Sequence, residues 1–258
     1  MPDDRLLTTV SDGCLTITLN RPDRMNAWDM AMRKTLVETL EAASGNAAVK
    51  SIVVTGAGSR AFCAGQDLNE ATDFDEDFAE AWIDDFARLY RAVRSIEVPV
   101  VSAINGVAAG SAFQFVLLTD IRVGHAGVRL GQPEINSGIA SITGPWIMRE
   151  VLGMSRTIEL TLTGRLMDAD EALRLGVLHE IVAQDTVLDR ASAIARELGA
   201  KPRTAMSLIK RRFFEVLEPG LEDAVAAAKI YHRASFASGE MHASTRAFLD
   251  ARGGRKRD

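Results

Sequence analysis

The chain has 258 residues, 47% apolar and 25% charged, with 30 basic against 35 acidic side chains and a formal charge of −5. This length and composition suit one large globular domain, or a core with a small appendage, and exclude disorder over most of the chain. The acidic balance lacks the basic excess that phosphate-backbone binding requires, so no nucleic-acid partner is expected. Cys14 and Cys63 form no CxxC and have no neighbouring His, so a reducing compartment and no metal are expected. The N-terminus is acidic, and no run approaches the roughly 18 apolar residues of a membrane span; no membrane partner and a cytoplasmic location follow as expectations.

Leu15, Ile17 and Leu19 alternate with Thr16 and Thr18, which predicts a strand over Cys14–Leu19, ended by the turn Asn20-Arg21-Pro22-Asp23. Met32, Leu36, Val37 and Leu40 stand at helical spacing behind Asp29, a candidate N-cap. Two short apolar runs, 49–55 and 98–104, end at Gly56 and at Asn105-Gly106 and read as strands buried on both faces. Between them, 70–85 interleaves eight carboxylates with Phe74, Phe78, Trp82 and Phe86: an amphipathic helix with a solvated acidic face, or a lid over an apolar ligand tail. Alternating strands and helices over the first ~180 residues predict an α/β fold. Beyond 186 the alternation stops and three or four helices are read, over 187–198, 203–217, 221–235 and 240–251, followed by a basic tail. A soft boundary near 195 separates a core, 1–195, from a helical C-terminal lobe, 196–258.

The stretch Gly56-Ala57-Gly58-Ser59-Arg60-Ala61 formally matches a dinucleotide fingerprint, but no long helix follows it and Gly65 interrupts the next segment. There is no Walker loop and no GxSxG, and His179-Glu180 lacks the second His of a zinc protease. His125, His232 and His242 have no partner visible in the sequence and read as packing or surface residues, as do Trp28, Trp82 and Trp146. Two segments resist a packing explanation: 56–68 (GAGSRAFCAGQDL) and 103–120 (AINGVAAGSAFQFVLLTD). Each concentrates small residues where backbone N–H groups can face a ligand, at Ala64-Gly65 and at Gly110-Ser111 before an apolar helix. A pair of such N–H groups, one at a helix N-terminus, can form an oxyanion hole.

With Asn20-Arg21-Pro22 through Asn26-Ala27, Phe62 to Leu68, Asn105-Gly106 through Gly110, Gly131-Gln132-Pro133-Glu134-Ile135, Leu162-Thr163-Gly164 and Ala169 to Val177, the chain resembles the crotonase superfamily, the enoyl-CoA hydratases and isomerases. The likeness extends to Ala247-Phe248-Leu249 and covers most of the chain. It implies a crotonase-like spiral of repeated ββα units, with the helical lobe building a homotrimer or a dimer of trimers. It further implies an acyl-CoA or enoyl-CoA thioester as substrate, with coenzyme A as part of that substrate and no separate cofactor.

Matching the motifs puts the two carbonyl-binding N–H groups on Ala64 and Ser111, each worth about 3 kcal/mol in the transition state, aided by the helix dipole beyond Gly110. Asp67 would fix the first loop, with Gly65, Gln66 and Leu68 beside it at the substrate, and Arg21 and Arg24 are candidates for the anionic end of coenzyme A. The family's hydratases carry two glutamates. One falls on Glu134; the other falls on Gln114, which can orient water but cannot take a proton. The stretch Ile139 to Trp146 also departs from the hydratase pattern, and Trp146 would narrow the acyl pocket. Two functional classes follow: an enoyl-CoA enzyme with Glu134 as its acid/base for double-bond isomerisation or hydration, and an acyl-CoA-binding protein that has lost catalysis. A nicotinamide-dependent dehydrogenase is a distant third. Phe213, Phe214, Ile230, Tyr231, Phe236 and Phe248 give the lobe more apolar surface than 60-odd residues can hide, in keeping with an oligomer.

Overall fold

The computed structural model describes residues 4–67, 70, 78–237 and 240. The chain opens with an antiparallel hairpin, β1 (Leu6–Ser11) and β2 (Cys14–Leu19), joined through Asp12 and Gly13 at φ 52° and 76°. Two left-handed residues in a two-residue connection match the right-handed twist of the paired strands, and Asp-Gly supplies them at low cost. Helix α1 (Met30–Gly45) follows, with the Asp29 side chain accepting the Met32 N–H at 2.9 Å as the N-cap.

Three strand pairs then repeat one pattern. The pairs are β3 (Ser51–Gly56) with β4 (Ala61–Cys63), β5 (Val100–Ala103) with β6 (Val107–Ala109), and β7 (Ile121–His125) with β8 (Arg129–Gly131). Each sends its first strand into a six-stranded sheet and its second into a four-stranded one; β2, β3, β5 and β7 run parallel in the first, and β4, β6 and β8 in the second. Helix α2 (Phe78–Ser95) follows the first pair, α3 (Ser111–Leu118) the second and α4 (Thr143–Thr163) the third. This is the expected spiral of ββα units. Strands β9 (Leu166–Met167) and β10 (Glu180–Val182) finish the small and large sheets, with α5 (Ala169–Arg174) between them and α6 (Val187–Gly199) after them. Helix α4 is broken at Gly153, whose φ of 68° and ψ of 165° are not helical.

The main core lies between the sheets and α1, α2, α3 and α4. A smaller cluster covers the other face of the large sheet, where Val187, Ala191 and Ala195 of α6 meet Val53, Val101 and Val123. Residue 195 therefore lies inside a helix packed on the sheet. The next two C-terminal helices read from the sequence are one: α7 (Arg203–Ala237) runs through Pro219. Proline removes one helical N–H, yet α7 continues through it, packed against α2 and α4. The helix read over 240–251 lies outside the described residues, apart from Glu240.

Of the acidic segment, 71–77 lies outside the described residues, Glu70 stands before that gap, and 78–85 open α2. Its carboxylates are paired rather than merely solvated: Asp84 with Lys229 at 2.7 Å, Glu80 with Arg233 at 3.0 Å, and Asp85 with Arg33 at 2.5 Å. His125 and His232 are buried, as their packing role required, and His242 lies outside the described residues. Among the described residues no helix is long and apolar enough to cross a membrane.

Candidate active site

The site forms where the loop after β4 meets the N-terminus of α3. Gly65 has φ 89°, and a Cβ there would stand 2.7 Å from the Ala109 carbonyl oxygen and 3.5 Å from the Ser111 nitrogen. Only glycine allows that approach. Ser111 is the first residue of an entirely buried helix, and its N–H has no acceptor among the described residues, as expected for a first-turn donor. Its side chain is turned away, with Oγ accepting the Trp28 indole N–H at 3.0 Å.

On the opposite side of the junction the structure corrects the sequence reading. The Ala64 N–H is committed to the Met25 carbonyl at 3.0 Å and cannot serve a ligand. The free donor is Gln66. Trp28 donates to the Gly65 carbonyl at 3.0 Å and accepts from the Asp67 N–H at 3.1 Å, which makes a short parallel bridge between Trp28 and Gln66. Backbone polar groups alternate in such a bridge, so the Gln66 N–H points away from Trp28, with no acceptor among the described residues. The Gln66 side chain is tied elsewhere, accepting from Arg33 at 2.6 Å and Trp82 at 3.3 Å and donating to Glu70 at 2.7 Å. Gln66 and Ser111 thus supply the pair of open N–H groups expected of Ala64 and Ser111.

Glu134 begins a 3-10 turn (Glu134–Ser137), and its carboxyl lies against Gly110, where a Cβ would come within 2.9 Å of Oε1. Gly110, at φ 61°, therefore serves both the turn into α3 and the approach of the carboxyl. Oε1 accepts from Gln132 Nε2 at 2.6 Å and, at a longer 3.4 Å, from Gln114 Nε2. Oε2 is buried without a partner among the described residues. Burial pushes the Glu134 pKa from 4.5 up to about 8, only partly offset by its own backbone N–H.

Gln114 lies one turn into α3, as the spacing required, and both ends of its amide are engaged. Its Oε1 accepts the buried Tyr90 hydroxyl at 2.6 Å while its Nε2 faces Glu134. Burial, and then the Glu134 charge, hold Tyr90 well above the ordinary tyrosine pKa, so it remains a donor. Gln132 also reaches Ser141 Oγ at 2.7 Å. Gly144 leaves room for this convergence: a Cβ there would stand 2.6 to 2.7 Å from Gln132, Ser141 and Gln114. Tyr90, Gln132 and Ser141 were missed from the sequence. Gln132 had the clearest signal, two residues before Glu134, whereas Tyr90 arrives from a separate helix.

Two other expectations change. Arg21 is a structural cation: its side chain is 14% exposed, donates to the Ala27 carbonyl at 2.5 Å and to Asp67 at 2.8 Å, and lies 3.5 Å from Asp29. It is not open to the anionic end of a ligand. Arg24 is 56% exposed, with Asp67 at 3.5 Å, and keeps that possibility. Trp146 turns its indole toward α7: a Cβ on Gly220 would be 2.7 Å from its indole nitrogen, and it lines a small cavity with Arg94 and Phe214. It packs α4 on α7 rather than narrowing the site. Asp67 does brace its loop, through Arg21 and Arg24, and Leu68 lies outside the described residues. Cys63 is no nucleophile, since burial pushes its thiol up to about 12.

Two open N–H groups beside a buried, high-pKa carboxyl can polarise a carbonyl and move a proton next to it. Residues 9–255 match the model of the enoyl-CoA hydratase/isomerase family. The chain is 30% identical over 252 residues to the 1,2-epoxyphenylacetyl-CoA isomerase of Escherichia coli (strain K12), covering 96% of each chain. It is 26% identical to the short-chain-enoyl-CoA hydratase of Clostridium acetobutylicum, covering 92% of this chain and 91% of that one. A crystal structure of an enoyl-CoA hydratase/isomerase from Mycobacterium paratuberculosis superposes with a TM-score of 0.88 at 25% identity, over 95% of this chain and 98% of that one. With a match across nearly its whole length and the spiral fold to accompany it, the chain belongs to the enoyl-CoA hydratase/isomerase family.

Proposed function

We propose that the protein moves a carbon–carbon double bond in an enoyl-CoA thioester, with Glu134 as the only acid/base. The thioester oxygen accepts the Gln66 and Ser111 N–H groups. Glu134 Oε2 removes a proton from C2 of a 3-enoyl thioester, the electron pair passes into the carbonyl, and the dienolate oxygen rests in the hole with the α3 dipole behind it. The same carboxyl, now protonated, returns its proton to C4, leaving the 2-enoyl thioester. One carboxyl suffices because the proton leaves and returns on one face. Coenzyme A is part of the substrate, and Arg24 is the exposed cation offered to its phosphates.

The observation that favours isomerisation over hydration is the engagement of Gln114 at both ends. An amide that accepts from Tyr90 and donates to Glu134 offers water no base. The test is a panel of 2-enoyl and 3-enoyl thioesters in deuterated water. Conversion of the 3-enoyl to the 2-enoyl thioester without added mass of water is the expected result, with deuterium entering C2 or C4 only as far as the protonated carboxyl exchanges with solvent before it returns its proton. Addition of water would establish a hydratase, and binding without change would establish a protein that only holds acyl-CoA.

The working unit is proposed to be a homotrimer or a pair of trimers. Phe213, Ile230 and Tyr231 of α7 stand exposed, as do Leu208 and Ile209, a larger apolar face than a lone helix leaves in water. Phe236 is buried within the chain against Trp82, Phe214 is half-buried, and Phe248 lies outside the described residues. Light scattering at micromolar concentration decides the matter, and a 27.9 kDa particle would refute it.

A further inference from the structure

We infer that Arg33, on α1 and outside the reacting groups, is the positioning residue that sets both donors of the oxyanion hole. The inference rests on the hole described above but not on which reaction it serves.

Arg33 is 0% exposed, among Met32, Leu36, Val37 and Leu40, where an aliphatic side chain would fill the space. A buried guanidinium is costly unless its protons are well used. Here Nε donates to Asp85 at 2.5 Å, and Nη1 donates both to Gln66 Oε1 at 2.6 Å and to the Trp28 carbonyl at 3.2 Å. The guanidinium carbon lies 4.4 Å from the centroid of Phe86. Nη2 has no hydrogen-bond partner among the described residues and lies 3.8 Å from Glu70 Oε2.

The two acceptors of Nη1 lead to the two halves of the hole. Gln66 is itself the first donor residue. Trp28 leads to the second, because its indole N–H holds Ser111 Oγ, and its backbone brackets Gln66 through Gly65 and Asp67. Glu70 completes the frame by accepting the Gln66 side-chain amide at 2.7 Å and the Met30 N–H at 3.0 Å. A planar fork can span these acceptors, whereas a lysine ammonium at the end of a flexible stem cannot fix them together. Asp85 and Glu70 oppose the Arg33 charge, so its effect on the hole is one of geometry rather than of net field.

The probe is hexa-2,4-dienoyl-CoA, whose conjugated thioester absorbs further to the red as its oxygen accepts stronger hydrogen bonds. The parent should show a red shift on binding. Arg33→Met should bind the probe within about threefold of the parent, lose most of the red shift, and lower kcat for the accepted enoyl-CoA by about 10- to 100-fold with little change in KM. Arg33→Lys should fall between. Gln66→Leu keeps the backbone N–H but cuts the tie, so it should reproduce the loss, and it decides the matter if Arg33→Met does not fold. A folded Arg33→Met or Gln66→Leu with the parent's full red shift and kcat would overturn the inference, however much its melting temperature fell. A parent that binds the probe without a red shift would instead refute the hole itself.

Discussion

The loop that carries Gln66 is anchored by charge, with Arg21 on Asp67, and Arg33 on Asp85 beside Glu70. The Glu134 carboxyl is held by neutral groups: two glutamine amides, with Tyr90 behind one and Ser141 behind the other. Ion pairs with several hydrogen bonds hold a backbone donor rigidly and leave its own polarity untouched. A cation beside Glu134 would have fixed that carboxyl equally well but lowered its pKa. Neutral donors orient it and leave burial free to raise its pKa to about 8. Rigidity at one wall and a tuned proton affinity at the other need different neighbours.

The largest effect is expected from Glu134→Gln. Turnover should vanish, while affinity for CoA esters changes by less than about tenfold, or 1.4 kcal/mol. The variant should also melt higher at pH 7. Because the folded pKa is raised from 4.5 to about 8, the carboxyl's stabilising contribution is complete below the unfolded value and is lost as pH rises through about 8. A neutral amide avoids that loss, for a gain of ~1 to 3 kcal/mol near neutrality. Paired thermal melts and binding titrations check both statements.

Gly65→Ala breaks the other wall. Its Cβ would press on the Ala109 oxygen at 2.7 Å in a left-handed backbone, displacing the Gln66 N–H. kcat/KM should fall by about 10² to 10³, the usual effect of one lost hole donor. A variant with full activity would show that the Gln66 N–H does not serve the substrate.

Gln114→Glu sharpens the comparison by placing a second carboxyl in the neutral wall. Hydration of a short 2-enoyl-CoA should rise by at least about tenfold as a water-activating base appears, and the acidic limb of the pH profile should broaden because two nearby carboxyls titrate together. A stable variant that binds CoA esters and hydrates no faster would mean that water has no place between Gln114 and the substrate. The smallest effect belongs to Arg24→Gln: an exposed cation should change KM by about threefold, leave kcat alone, and lose its influence at high salt.

Much of this arrangement was legible in the sequence because local rules and tertiary structure agree there. Asp29 caps α1, the buried runs became β3 and β5, and Glu134 and Gln114 both reach the α3 junction. Strand β1 went unread because it has one buried residue in six and presents no alternation to a sheet. The choice of Gln66 over Ala64 depends on which N–H groups face Trp28 and Met25, a matter of backbone direction that residue types do not encode. Arg21 and Arg24 are alike in sequence, yet only Arg21 is enclosed by Asp67, Asp29 and the Ala27 carbonyl. Tyr90 and Trp146 were beyond reach for the same reason: each is defined by a neighbour on another helix, Gln114 for one and Gly220 for the other.

The most direct test of a single neutral-walled carboxyl as acid/base is the pH dependence of kcat/KM for conversion of a 3-enoyl-CoA to its 2-enoyl isomer. Abstraction needs the ionised form, so the account expects one ascending limb with its midpoint near the raised value of about 8, followed by a plateau. A limb near the ordinary carboxyl pKa of about 4.3, or a rate that Glu134→Gln leaves intact across the range, would contradict it.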